Sequence, residues 1–65
     1  MVFKKITLVG RSNENFEEAI QDALGRADQT LNNLQWATVD NQAVMLEDGD
    51  PEYQAEIEVA FELEH

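Results

Sequence analysis

Cysteine, proline, glycine and cations are all scarce in this 65-residue chain. With no cysteine there is no disulfide framework, and with a single histidine, His65, there is no zinc site built from cysteine and histidine. No apolar run approaches the roughly 18 residues of a membrane span, and the N-terminal residues do not follow a signal-peptide pattern, so we expect a soluble, cytoplasmic protein. A single domain, residues 1–65, of this size has a thin core and predicts self-association.

Positive charge is almost confined to the N-terminal part of the chain. Four Lys and Arg residues stand against 14 Asp and Glu residues, for a net charge of −10, and Lys4, Lys5 and Arg11 are three of the four. This balance disfavours nucleic acid and anionic lipid as partners, because both need a basic surface. Strong acidity also suits a salt-rich environment, in which screening weakens self-repulsion. An ordinary acidic protein is the other explanation, and both stay open.

Residues that carry catalysis are nearly absent. The only serine, Ser12, follows the first predicted strand and has no base beside it in a motif, and no histidine lies inside the domain. The acidic segment 47–52 lacks the twelve-residue ligand spacing of an EF-hand, so we interpret it as a turn. The final residues resemble the remnant of a purification tag, and no function is assigned to His65. We therefore expect a binding protein and not an enzyme.

A strand and then a helix open the chain. β-Branched and aromatic residues in 2–9 predict a strand, and Gly10 and Ser12 mark its end. Asn15, with Glu18 three residues later, has the capping-box pattern of a helix N-terminus. Apolar residues then recur at helical spacing, at Phe16, Ala19, Ile20, Ala23, Leu24, Ala27 and Leu31. The asparagine pair that follows ends this helix.

Two further strands complete the fold. Residues 34–46 predict a long strand, residues 47–51 a turn, and residues 53–63 a strand in which apolar and polar side chains alternate. The turn makes the last two strands antiparallel, whereas the helical crossover makes the first two run the same way. The third strand therefore fits between them. The predicted fold class is α+β, with β-α-β-β order and a three-stranded antiparallel sheet (order 1-3-2) wrapped on one helix.

Trp36, the only tryptophan, raises the question of what its ring contacts. Alternation along the second strand leaves one side free of the small apolar residues that suit a helix contact. That side carries Trp36, Thr38, Asp40 and Gln42, and the same face of the third strand carries Gln54, Glu56 and Glu58. An exposed indole beside an amide suits a planar heteroaromatic ligand. If the alternation has the opposite phase, Trp36 is a core residue. Periodicity alone leaves the outward and the inward orientation open.

Four segments together resemble the dodecins, a family of small flavin-binding proteins with a β-α-β-β fold. They are VFKKITLVGRS at the start, NFEEAIQDAL in the helix, LQWATV around Trp36 and EYQAEIEVAFEL at the end. The resemblance covers essentially the whole chain. Its most specific parts are the W-x-x-V and Y-Q-x-E-I-x-V-x-F patterns. The acidity and the opening MVFKK are most similar to haloarchaeal members.

The resemblance implies a hollow homododecamer that binds flavins in pairs at its two-fold axes, each pair between two tryptophans. Trp36 would then be the stacking residue, and Gln54 would hydrogen-bond the pyrimidine edge of the isoalloxazine ring. Gln42 and Asp40 are further candidates for the pocket, and Met45 is a candidate for the ligand edge. The implied function is storage, sequestration and photoprotection of riboflavin, lumichrome or FMN.

The chain departs from the family pattern at three places near the expected pocket. Arg11 replaces a threonine, Ala43 replaces a usual glycine, and Val44 or Met45 replaces an acidic residue of haloarchaeal members. These changes bear on ligand preference and affinity more than on the fold. A lost glycine in a strand can alter a bulge.

Two other functions stay open at this level. One is a structural or cation-binding shell that has lost flavin binding, in which Glu56 and Glu58 gather cations near an axis. The other is a flavin-dependent oxidoreductase. Bound cations or chloride are further candidate partners, and the N-terminal cations would meet a ligand phosphate or carboxylates of neighbouring subunits.

Overall fold

The sequence folds into one helix and a three-stranded sheet. The computed structural model describes residues 1–47 and 49–63. Its elements are β1 (Phe3–Ser12), α1 (Phe16–Thr30), β2 (Leu34–Glu47) and β3 (Asp50–Glu62). The strands pair antiparallel in the order β1-β3-β2, which confirms the predicted fold class. Residue 48 of the predicted turn and the His65 tag hypothesis fall outside the described residues.

Helix α1 begins where its local signals predict and ends at Thr30, shortly before the predicted asparagine pair. The side-chain oxygen of Asn15 accepts a hydrogen bond from the Glu18 N–H at 2.8 Å, which satisfies one of the free donors of the first turn. The Glu18 carboxylate accepts a hydrogen bond from the Ser12 hydroxyl at 3.3 Å. At the other end Asn33 has a φ of 60°, a left-handed conformation that asparagine tolerates. The capping prediction for Asn15 is confirmed.

The core lies between α1 and the central strand. The buried helix residues are Ala19, Ala23 and Ala27, and the buried residues facing them on β3 are Ala55, Ile57 and Val59. Small side chains at every fourth helix position let the helix lie close to the sheet. Around this centre Ile6, Leu8, Leu24, Leu31 and Leu34 are partly buried. The predicted apolar stripe of the helix is therefore the face that it buries.

Gly10 lies inside β1, so the predicted end of the first strand is wrong. It pairs with Ala55, and the strand continues to Ser12. A Cβ atom at Gly10 would lie 1.9 Å from the carbonyl oxygen of Ala19 and 2.9 Å from the Cβ of Ala23. The glycine is needed because the helix backbone approaches the strand at this point, a recognised use of glycine within a strand.

The β2–β3 hairpin is longer than predicted at its turn end. Strand β3 begins at Asp50 and includes Pro51, which pairs with Leu46. The pairing of β1 with β3 ends at Tyr53, so no strand of the described part of the chain lies on the other side of Pro51. The missing N–H of Pro51 therefore costs no ladder bond. The Pro51 carbonyl accepts a hydrogen bond from the Asn13 side chain at 3.5 Å on that side. Gly49, in the turn, has a φ of 80°, which favours glycine.

A bulge in β2 changes which residues face outward. Val39 pairs with Ile57 and Asn41 with Glu56, so Asp40 is an extra residue without a partner in the ladder. An inserted residue moves all later side chains to the opposite face. Gln42 pairs with the buried Ala55 and so lies on the helix side. The outward face predicted for Gln42 is wrong for this reason.

Helix α1 covers only part of the sheet. It contacts β1 and β3 extensively and β2 very little. Within residues 1–47 and 49–63, the face of the sheet away from the helix, here called the outer face, has no helix over it. Among the described residues, no helix is long and apolar enough to cross a membrane.

Candidate functional site

Trp36 lies on the outer face of the sheet. It pairs with Ala60, which alternates with the helix-facing residues Val59 and Phe61. The indole is 45% exposed. The structure therefore has the outward orientation, and the alternative of a core tryptophan is wrong.

Three neighbours hold the indole in place. Ala60 of β3 lies between Lys5 of β1 and Trp36 of β2. Its small side chain lets the side chains of these two residues meet above the central strand. The Phe3 ring contacts the indole edge-to-face, with 5.0 Å between ring centroids. The Lys5 ammonium lies 6.0 Å from the indole centroid, at the limit of a cation–π contact, and is 3.4 Å from the Glu58 carboxylate. These contacts hold the flat indole ring of Trp36 in one orientation.

Phe3 is the residue of this group that sequence reasoning missed. The signal was present in the sheet order 1-3-2, because this order places the start of β1 and the start of β2 on either side of the end of β3. Phe3 has the same alternation phase as Lys5 and pairs with Glu62 at that end of the sheet. A register assigned to β1 would have placed it beside Trp36.

Gln54 lies at the opposite end of the outer face, within a group of polar side chains. It pairs with Arg11 on one side and Ala43 on the other. Its amide nitrogen donates a hydrogen bond to one oxygen of Glu52 at 2.8 Å. The Arg11 guanidinium donates to the other oxygen of Glu52 at 2.7 Å. Arg11, Glu52 and Gln54, here called the polar triad, form one continuous network.

The polar triad shifts the titration of its charged members. The hydrogen bond from Arg11, followed by that from Gln54, holds the pKa of Glu52 below its usual range. The hydrogen bond to Glu52 raises the pKa of Arg11 above its ordinary value. The pKa of Glu52 is lower in the folded protein than in the unfolded chain. The ionised Glu52 therefore contributes to stability at pH values above its pKa in the unfolded chain, and this contribution is lost as the pH falls through its pKa in the folded protein.

Trp36 and Gln54 are far apart within one chain. Their β3 positions, Ala60 and Gln54, are six residues apart, which corresponds to about 20 Å along a strand. The interpretation that the indole lies beside Gln54 in the same chain is therefore wrong. One flat three-ring ligand stacked on Trp36 does not reach Gln54 of the same chain.

The other predicted site residues are distributed along β2. Met45 pairs with Glu52 and so lies at the Gln54 end of the outer face. Asp40 is the bulged residue midway between the two ends, and Gln42 lies on the helix side. Ala43, in the place of the family glycine, pairs regularly with Gln54, so the bulge lies before it. Their contact with a ligand stays a prediction.

The charged groups pair within the chain. Lys5 and Arg11 pair with Glu58 and Glu52 of the same chain. Pairing of the N-terminal cations with carboxylates of neighbouring subunits stays a prediction. Across residues 1–47 and 49–63, no three acidic, histidine or cysteine side chains come close enough to hold a metal ion. A cation site on this surface would need carboxylates from more than one copy.

Comparison with known proteins gives one consistent result. The family model described as Dodecin matches residues 2–64. A dodecin from Thermus thermophilus is 48% identical over 64 residues, which cover 97% of this chain and 93% of that protein.

Solved structures are similar over nearly the whole chain. A crystal structure of a Thermus thermophilus protein has a TM-score of 0.89 and 45% identity, covering 98% of this chain and 96% of that one. A calcium dodecin from Mycobacterium tuberculosis, described as having a novel calcium-binding site, has a TM-score of 0.90 and 28% identity, covering 98% and 93%.

Proposed function

This chain belongs to the dodecin family, and from that membership we propose that it binds flavins in order to store and shield them. Dodecins are small binding proteins and not enzymes, which removes the flavin-dependent oxidoreductase alternative. The family forms dodecamers with small-molecule ligands. The proposed ligands are riboflavin, lumichrome and FMN.

The exposed, supported indole of Trp36 is the observation that carries this proposal. Nearly half of its surface is open on a sheet face that no helix covers. Phe3 and Lys5 fix the ring from the side of β1, so little side-chain freedom is lost when a ligand stacks on it. Stacking of a flat heteroaromatic ring on such a side chain contributes about 1–3 kcal/mol.

The distance between Trp36 and Gln54 supports a site made by two copies of the chain. Two copies related by a two-fold axis, with outer faces together and β3 strands antiparallel, bring Gln54 of one copy toward Trp36 of the other. The ring then stacks on one indole, and an amide from the second copy reaches its pyrimidine edge. Met45 and Asp40 are candidates for the pocket wall, whereas Gln42 faces the other way.

Shielding follows from the same arrangement. A flavin enclosed between two copies is separated from water and from diffusing reactants. An indole in contact with the excited ring donates an electron to it, and the electron then returns to the indole, so the excited state is quenched before it reacts. A pair of flavins stacked between two indoles leaves no room for a substrate, which fits storage and photoprotection.

Trp36→Ala tests the proposal directly. The visible absorption of the purified protein, followed by extraction of its chromophore, identifies any resident flavin. Riboflavin, lumichrome and FMN are then titrated while flavin emission is followed. We expect quenching by the unmodified protein and an affinity lower by about tenfold or more in Trp36→Ala, because the stacking contribution is lost.

Gln29→Ala is the matched control. Gln29 is an exposed residue of α1 and lies outside the sheet that carries Trp36. Both variants should keep the elution volume of the unmodified protein in gel filtration. An unchanged flavin affinity in Trp36→Ala would refute the stacking role.

Cation binding is the second candidate function, and the calcium dodecin of Mycobacterium tuberculosis is the finding that favours it. Glu56 and Glu58 project from the outer face of β3 in this chain. Calorimetric titration with calcium, beside the flavin titration, separates the two functions. Calcium binding without any flavin binding would favour the cation-binding shell.

A further inference from the structure

We propose that Arg11 and Glu52 are positioning residues that fix the orientation of the Gln54 side-chain amide, and thereby the order of donor and acceptor that Gln54 presents to a ligand. The inference rests on the proposed flavin site. It gives a role to Arg11, which replaces the threonine of the family pattern.

The chemistry of Glu52 determines which way the amide stands. An ionised carboxylate only accepts hydrogen bonds, so the amide group that faces it at 2.8 Å must be the nitrogen. Rotating the amide by half a turn would place its carbonyl oxygen against the carboxylate, and the two would repel. Glu52 therefore selects one of the two orientations that an isolated glutamine adopts.

Arg11 keeps Glu52 both ionised and in place. Its guanidinium binds the carboxylate oxygen that does not contact Gln54, at 2.7 Å. Arg11 is held in turn, because it pairs with Gln54 in the ladder and its backbone N–H donates to the Asp22 carboxylate of α1 at 3.0 Å. On the side of β2, Glu52 faces Met45, which does not titrate. Among the described residues, Arg11 is the charged group that acts on Glu52, and the Asp22 carboxylate acts on Arg11.

The fixed amide matches a specific ligand edge. With one N–H bound to Glu52, Gln54 retains a second N–H donor and a carbonyl acceptor. The pyrimidine edge of a flavin presents an N–H, at N3, between two carbonyl oxygens. The amide carbonyl accepts from N3–H while the amide N–H donates to a neighbouring carbonyl. We therefore infer a preference for flat rings with an N–H between carbonyl groups.

Glu52→Gln is the principal test. A glutamine at this position offers either a donor or an acceptor, so it no longer selects one orientation of Gln54. Lumichrome and its N3-methylated derivative are titrated into the unmodified protein and the variant, with ligand emission as the readout. We expect about a tenfold loss of lumichrome affinity, the size of one hydrogen bond, and a smaller preference over the methylated ring. Glu17→Gln, which removes the same charge on the solvent face of α1, should change neither.

Arg11 variants separate positioning from a general structural effect. Without the arginine the pKa of Glu52 rises. As the pH is lowered, lumichrome binding should therefore begin to weaken at a higher pH in Arg11→Ala than in the unmodified protein. Arg11→Lys keeps the charge but not the planar fork, and should restore most of the pH profile and only part of the affinity.

A spectroscopic readout distinguishes failure of this proposal from failure of the flavin site. In nitrogen-15-labelled protein, the side-chain NH₂ signals of Gln54 should shift as acid protonates Glu52, and this shift should be absent in Glu52→Gln. If the unmodified protein binds no flavin, the proposed function fails, and these signals still decide the orientation of the amide. If it binds flavin and Glu52→Gln is unchanged in affinity, preference and Gln54 signals, the positioning role alone is overturned.

Discussion

At the scale of single residues, small side chains determine where the large ones lie. Ala60 leaves the gap over which Lys5 and Trp36 meet, and the Phe3 ring closes on the indole beside it. Gly10 does the same on the other face, where it admits the backbone of α1. Neither residue has chemistry of its own, yet both set the geometry of a face.

Gly10→Ala and Gly25→Ala form a matched pair at this scale. The added methyl at Gly10 would overlap the helix backbone, so we expect a loss of about 1–3 kcal/mol or more in the free energy of unfolding. Gly25 is exposed within α1, and an added methyl meets nothing within 4 Å. Its replacement should raise stability by up to about 1 kcal/mol. Thermal unfolding at equal protein concentrations measures both, and equal effects would contradict the close-approach explanation.

At the scale of elements, α1 is defined by its ends, and β2 by two register shifts against β3, one before Trp36 and one at Asp40. The helix begins at a side-chain cap and ends at Thr30, and a left-handed asparagine follows three residues later. The bulge at Asp40 instead arises from pairing with β3. It lets one strand present Trp36 at one end of the outer face and Met45 at the other, although the two residues are an odd number of positions apart.

The cap of α1 gives a prediction for the element. Asn15→Ala removes the acceptor for the Glu18 N–H and should lower the free energy of unfolding by about 1 kcal/mol. Asn15→Ser retains an oxygen acceptor and should behave nearly as the unmodified protein. Circular dichroism followed through chemical denaturation provides the comparison. Equal losses in the two variants would show that the side-chain oxygen is not what matters.

At the scale of the whole molecule, charge and the uncovered outer face act in opposite directions. The outer face and the exposed apolar side chains of β2 favour association of copies, whereas a net charge of −10 per chain opposes it. Paired cations such as Lys5 and Arg11 neutralise only a small part of that charge. Solution conditions that screen charge should therefore decide how readily the chain assembles.

Salt dependence of assembly is the prediction at this scale. The screening length falls from about 10 Å at 0.1 M salt to about 3 Å at 1 M, so we expect larger assemblies to gain stability as sodium chloride is added. Gel filtration with light scattering across this range measures the effect. Sucrose at matched osmolality is the control, because it does not screen charge. Assemblies of equal stability at both salt concentrations would count against the charge argument.

Local patterns in the sequence determined the order of the elements and the position of the cap. Apolar spacing located α1, alternation located β3, and the hairpin turn together with the helical crossover led to the sheet order 1-3-2. These features depend on residues that are neighbours along the chain or nearly so. The outward face of Trp36 was one of two phases that periodicity allowed, and the order of the elements alone did not select it.

Only the tertiary structure decided the rest, because it depends on contacts between distant parts of the chain. The bulge at Asp40, which moves Gln42 to the helix side, appears only when β2 is paired with β3. The register puts about 20 Å between Trp36 and Gln54 and gathers Arg11, Glu52 and Gln54 from two strands. A strand's own sequence fixes the alternation of its side chains, whereas the neighbouring strand fixes which of them meet.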